Sequence, residues 1–180
     1  MEKIFSLGKF GEHLWTRETA RKIRDELDCA FGELEPGNAM VIDLKDVQVF
    51  DYSFANELFG KSILNLSTEH PGCFLIVEHV GTYPRENLAK ALESLGLAII
   101  ERKGGRLRLL GKVHPADAET FEAIVNAKRP VVAAVLTRQL NVNLTAMNER
   151  LAKLTKLGLV RRERGTSSAG REQYEYSVDW

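Results

Sequence analysis

The sequence predicts a layered α/β unit over residues 1–111, followed by a smaller unit of three helices and a hairpin over residues 112–180. Three observations predict it. In the first stretch, short apolar runs alternate with amphipathic segments. At Gly111-Lys112-Val113-His114-Pro115-Ala116 the periodicity lapses and a proline intervenes. Beyond that point the charge balance changes sign: residues 1–111 carry 14 basic and 17 acidic side chains, net −3, against 11 and 8, net +3, over residues 112–180. A chain of 180 residues has room for one domain of ordinary size or two small ones.

In the first unit a strand is expected at Ile4 to Leu7 and a helix from about Arg17 to Phe31. Thr16 is placed to cap that helix, and Ala20, Ile23, Leu27 and Phe31 recur at spacings of three and four to make one apolar stripe. Glu35-Pro36-Gly37-Asn38 makes a turn. Met40 to Leu44 reads as a strand, residues 54–66 as a helix, and Phe74 to Val77 as a strand after the break at Pro71-Gly72. A helix from about Arg85 to Leu95 ends at Gly96, which tolerates a left-handed cap. Leu97 to Arg102 and Arg106 to Leu110 face each other across Lys103-Gly104-Gly105 as a hairpin.

The second unit opens with a short helix from about Asp117 to Lys128. Pro130, acceptable in a first turn, is expected to open a helix over Val131 to Gln139. Asn141 suits a left-handed turn position, and Asn143 can cap a helix running from Leu144 to about Leu157. On that helix Leu144, Met147, Leu151 and Leu154 form the expected buried stripe, leaving a polar outer face. Gly158 stops it. Leu159 to Arg164 and Arg171 to Val178 then read as two strands joined by the polar loop Gly165 to Gly170.

Composition sets outer limits. An apolar fraction of 44% with charges of both signs excludes wholesale disorder. No apolar run approaches the roughly 20 residues of a membrane span, so no membrane partner is expected. The first residues lack a secretory pattern and only Cys29 and Cys73 are available for a disulfide, which makes a reducing cytoplasm the expected location. Residues 128–171 hold ten Lys or Arg against Glu149 and Glu163 alone, a local net charge of +8. Such a block suits a nucleic-acid surface, though charge alone fits a solvated basic face equally well.

Two helices, a short turn, a helix with a polar outer face and a basic hairpin resemble a winged helix-turn-helix domain over about residues 117–178. The best match is Leu140 to Leu151, followed by Leu154 and Gly158-Leu159-Val160. Where such regulators usually have Gly in the turn and Ser at the cap, this chain has Asn141 and Asn143. The resemblance implies that the second helix of the motif enters the major groove of duplex DNA with the wing beside it. Thr145, Asn148 and Glu149 then become candidate base-edge contacts, and Arg150, Lys153, Arg164 and Arg171 candidate contacts to phosphates or the minor groove. A winged helix used for protein contacts is the alternative.

Val41-Ile42-Asp43-Leu44 followed by Val49-Phe50-Asp51-Tyr52-Ser53-Phe54-Ala55-Asn56-Glu57-Leu58 resembles the STAS domains of anti-sigma factor antagonists, and more closely a STAS-like family with Ser-Phe-Ala and then Glu-Leu. The likeness covers about residues 1–111. In antagonists a partner kinase phosphorylates the second Ser of Asp-Ser-Ser-Gly, and Ser53 stands at that place, with Tyr52 replacing one Ser and Phe54 replacing the Gly. Ser53 is thus a phosphorylation candidate by resemblance and a helix cap by its own chemistry.

His13, His70, His79 and His114 lack metal-ligand spacing and neither cysteine sits in a paired motif, so no catalytic residue, metal or cofactor is expected. The expected function is that of a cytoplasmic, non-enzymatic transcriptional regulator. It would bind duplex DNA through the second unit and receive a protein or small-molecule signal through the first. Its alternative is a signalling adaptor that docks a kinase or switch protein. A homodimer fits either.

Overall fold

In a computed structural model of the protein, residues 1–167 and 169–179 are described, and the chain divides into two compact units, 1–113 and 114–179. Ser168 of the expected polar loop and Trp180 lie outside the described residues.

The first unit is a mixed α/β layer built on a mostly parallel sheet. Strands β1 (Glu2–Ser6), β3 (Ala39–Asp43), β5 (Phe74–Glu78) and β6 (Ala98–Lys103) are neighbours in that order, with β7 (Arg106–Gly111) closing the edge against β6. All pairs are parallel except β6 with β7, which form the hairpin at Gly104-Gly105. Met40, Val41, Ile42, Ile76, Val77 and Ile100 are fully shielded, as expected of parallel strands covered on both faces. A second pair, β2 (His13–Leu14) with β4 (Val49–Phe50), was too short to register as an apolar run.

Helix α1 (Arg17–Phe31) buries Ala20, Ile23, Leu27 and Phe31, the stripe read from the sequence, and the Thr16 hydroxyl accepts from the Thr19 N–H at 3.3 Å. After β4 the chain enters α2 (Tyr52–Ala55), widens into a π-helical turn over Asn56–Gly60 and continues as α3 (Lys61–Glu69). Such turns insert a residue into the helical repeat and turn the following side chains to a new heading. Gly60 fits because a Cβ there would sit 2.5 Å from Leu95 Cδ1. Helix α4 (Thr82–Leu95) ends at Gly96 in the left-handed conformation, φ 68°.

The second unit contains α5 (Pro115–Ala127), α6 (Ala133–Leu140), α7 (Leu144–Lys156) and a three-stranded antiparallel sheet of β8 (Val131–Val132), β10 (Glu172–Ser177) and β9 (Arg161–Thr166), in that spatial order. The expectation that Pro130 opens a helix at Val131 is corrected here. Val131 and Val132 are extended, pairing with Tyr176 and Glu175, and the helix begins at Ala133. Two adjacent β-branched residues after a proline favour that outcome. Asn141 adopts φ 51°, ψ 48°, and Val142 N–H closes on Thr137 O at 3.1 Å. A core of Phe121, Ile124, Leu136, Met147, Leu151, Leu154 and Leu159 holds the helices to the sheet.

No helix among the described residues is long and apolar enough to cross a membrane.

Candidate nucleic-acid interface

Helix α7 is held from three sides. Its cap is Asn143, whose Oδ1 accepts from the Ala146 N–H at 2.8 Å, satisfying one of the free first-turn amides. Met147, Leu151 and Leu154 anchor its inner stripe. Leu144, expected to join them, is 53% exposed, because as the first helical residue it projects beyond the end of the packed surface.

Thr145, Asn148 and Glu149 face solvent, and none of their side chains makes a hydrogen bond or ion pair among the described residues. Their polar groups are therefore free to meet a partner. Thr145, Glu149, Ala152 and Lys156 recur at spacings of four and three, so they form one exposed ridge along α7, with Asn148 beside it.

The two cations expected on that helix are engaged inside the unit. Arg150 is only 20% exposed; its guanidinium donates to Ala116 O and Thr120 Oγ1, both at 3.3 Å, and lies 3.6 Å from Glu119. Lys153 donates to Oδ2 of Asp117. Both side chains tie α7 to α5. The free cation on the helix is Lys156, exposed and without an ion pair among the described residues, and it has no assigned role in the sequence analysis.

On the hairpin, Arg164 stands opposite Tyr174, and Arg171 precedes β10; both are exposed and neither guanidinium has a partner among the described residues. The loop near Arg171 is set by its backbone: Ser167 N–H donates to Arg171 O at 2.9 Å, and Arg171 N–H donates to Ser167 Oγ at 3.0 Å. Arg162 lies over the Tyr174 ring, 4.6 Å from its centroid, and Arg161 pairs with Glu163. Burial pushes the Tyr176 phenol up, against the smaller opposing pull of Arg162. Free cations are thus found at the outer end of the hairpin and on α7, while the inner arginines serve the sheet.

In the first unit, Ser53 is not the helix cap. Asp51 takes that position, its Oδ1 accepting from the Phe54 N–H at 2.7 Å, and Ser53 lies inside the first turn of α2, half-buried. A carboxylate at the cap also complements the positive end of the helix. The Ser53 hydroxyl has no partner among the described residues.

The π-helical turn exposes a feature that the motif contained but sequence reasoning left without a role. Glu57 is fully buried, yet three cations surround it: Lys61 at 2.8 Å, Arg24 at 2.9 Å and Arg21 at 3.6 Å. Burial pushes its carboxyl up, but Lys61 and the two arginines outweigh that and hold it below the ordinary range. The only sequence signal was the four-residue spacing to Lys61.

Searches with the chain find no matching protein-family model and no matching curated relative.

Proposed function

We propose that the chain is a cytoplasmic transcriptional regulator whose second unit acts as a winged helix-turn-helix domain on duplex DNA. Its first, STAS-like unit receives a protein or small-molecule signal. One observation carries the reading: the unpartnered polar groups of Thr145, Asn148 and Glu149 share a unit with several exposed cations that lack an ion pair among the described residues, Lys156, Arg164 and Arg171 among them. Asn and Glu recognise adenine and cytosine edges in the major groove, while Lys and Arg gain from counterion release at phosphates. In this reading α7 is the recognition helix and the β9–β10 hairpin is the wing. Glu149 adds specificity at a cost in affinity, since a carboxylate near phosphates is tolerated only where a donor is present to meet it.

The test is a salt-titrated binding assay with the full chain and random-sequence duplex. Log affinity is expected to fall with log salt at a slope of about −0.9 per neutralised phosphate. Absence of binding at low salt, or indifference to salt, would transfer the weight to a signalling adaptor. That second reading has its own observation: Val135 and Leu144, at 47% and 53% exposure, present apolar side chains at the outer surface of the second unit. As an adaptor, the protein would dock a kinase or switch protein through the first unit and a second protein through these residues.

A further inference from the structure

The end of α1 and the end of α3 converge on a group of ligating side chains far apart in sequence. Asp28 lies in the last turn of α1, Glu69 is the final residue of α3, and His70 is its cap. One ligand atom from each lies within 4.8 Å of the other two. Both helices present the negative end of their dipole there, and neither has a basic residue in its last turn. Among the described residues, neither carboxylate accepts a hydrogen bond or makes an ion pair. Arg24 acts on Asp28 only at a distance and is committed to Glu57 at 2.9 Å.

The histidine supplies an independent observation. Its ring stacks on Phe31, 4.8 Å between centroids and 16° apart, and its Nε2 is buried without a hydrogen-bond partner among the described residues. A buried polar atom left unmatched is costly to the fold unless something meets it.

A second group of the same composition, Asp43, Glu78 and His79, makes the contrast clear. There His79 Nδ1 lies 2.8 Å from Asp43, Asp43 accepts from the Lys45 N–H at 2.9 Å, and Glu78 pairs with Arg102 at 3.3 Å. Those groups already have partners. The Asp28 group has two carboxylates, an imidazole and a shortage of positive charge.

We propose that Asp28, Glu69 and His70 form a binding site for a divalent transition-metal ion of the zinc type. Two carboxylate oxygens and one imidazole nitrogen make a three-ligand set, with water as the fourth ligand, and the imidazole favours such ions over magnesium or calcium. Ligands of one zinc ion lie about 3.3 Å apart, from bond lengths of about 2.0–2.1 Å, so binding would draw the three ligand atoms together from within 4.8 Å by side-chain rotation, in which the exposed Glu69 has the most freedom. The ion would join the last turn of α1 to the end of α3 and stabilise the first unit by mass action.

The experiment is calorimetric titration of the full, tag-free chain with zinc chloride, without DNA, alongside Asp28→Asn, His70→Phe, Asp43→Asn and Cys29→Ser. His70→Phe keeps a ring on Phe31 while removing the nitrogens. One zinc per chain is expected, weakened at least about tenfold in Asp28→Asn and His70→Phe, unchanged in Asp43→Asn and Cys29→Ser, and not displaced by an equal concentration of magnesium. A rise in melting temperature with zinc should appear in the wild type and vanish in Asp28→Asn. If His70→Phe fails to fold, Asp28→Asn decides. No zinc uptake, undiminished uptake in Asp28→Asn, or loss in Asp43→Asn or Cys29→Ser overturns the proposal. Since DNA is absent, failure of the DNA-binding reading leaves this outcome untouched.

Discussion

Lys153 Nζ lies 2.5 Å from Asp117 Oδ2, so a lysine half-exposed on α7 neutralises a carboxylate that is 6% exposed on α5. Its ammonium is committed to the fold before any phosphate approaches. Lys153→Ala is expected to cost about 1–3 kcal/mol in urea unfolding of the second unit, because Asp117 loses its donor. The DNA salt slope should stay unchanged. A flattened slope with intact stability would return Lys153 to the interface.

Lys156, Arg164 and Arg171 should behave in the opposite way. Each Ala variant is expected to keep its unfolding midpoint, weaken all duplex sequences nearly equally and flatten the slope by about one unit. Asn148→Ala should instead cost about 1–3 kcal/mol on a preferred site alone. Binding selections on random duplex pools, repeated at two salt concentrations, separate these outcomes. Equal loss on every sequence for Asn148→Ala would assign that side chain a positioning role.

Asp51 and Ser53 make different demands on the start of α2. Asp51→Ala is expected to lower stability by about 0.5–2 kcal/mol, and Ser53→Ala by less than about 0.5 kcal/mol, measured by denaturant unfolding. The Ser53 hydroxyl is then free of a structural duty. Its use as a phosphate acceptor is tested by phosphopeptide mass spectrometry of protein from cells, with Ser53→Ala as the blank. Equal costs at the two positions would place the cap on the hydroxyl after all.

Glu57 predicts a pH dependence. Its folded carboxyl lies below the ordinary value, so it binds protons more weakly in the native chain than in the unfolded one. The stability it contributes is present above the unfolded value of about 4.3 and is lost as pH falls through the lower folded value. Glu57→Gln strands Arg24, only 16% exposed, and should cost about 3 kcal/mol or more at pH 7. The gap between wild type and variant should narrow below about pH 4.3. A gap that is constant with pH would mean the loss comes from packing alone.

Local signals were legible in the sequence wherever one residue has a chemistry its neighbours lack. Thr16 and Asn143 cap, Asn141 and Gly96 turn left-handed, and the stripe of α1 buries as its spacing requires. Ambiguity arose where two residues could do one task. Asp51 and Ser53 are both cap formers two positions apart, and only the backbone decides which of them lies outside the helix. Val131 and Val132 satisfy either a helix or a strand until Tyr176 and Glu175 arrive to pair with them. At the candidate interface, exposure of Thr145 and Glu149 followed from helical phase, whereas Asn148 lies by phase at the flank of the buried stripe and is exposed. The capture of Arg150 and Lys153 did not, since it depends on Ala116, Asp117, Glu119 and Thr120, some thirty residues earlier in the chain. Helical phase also cannot reveal a π-helical turn, so beyond its spacing to Lys61 the burial of Glu57 beneath three cations had no trace in the sequence.

The position of β10 between β8 and β9 has a consequence during translation. In the first unit, each strand from β3 onward joins a partner that left the ribosome earlier, so that sheet can grow in the order of synthesis. In the second unit the central strand is made last. Until residues 172–177 emerge, Val131 and Val132 have no strand beside them and Arg161 to Thr166 have no partner. A ribosome stalled before that point would therefore hold a chain whose first unit has a complete sheet and whose second has none.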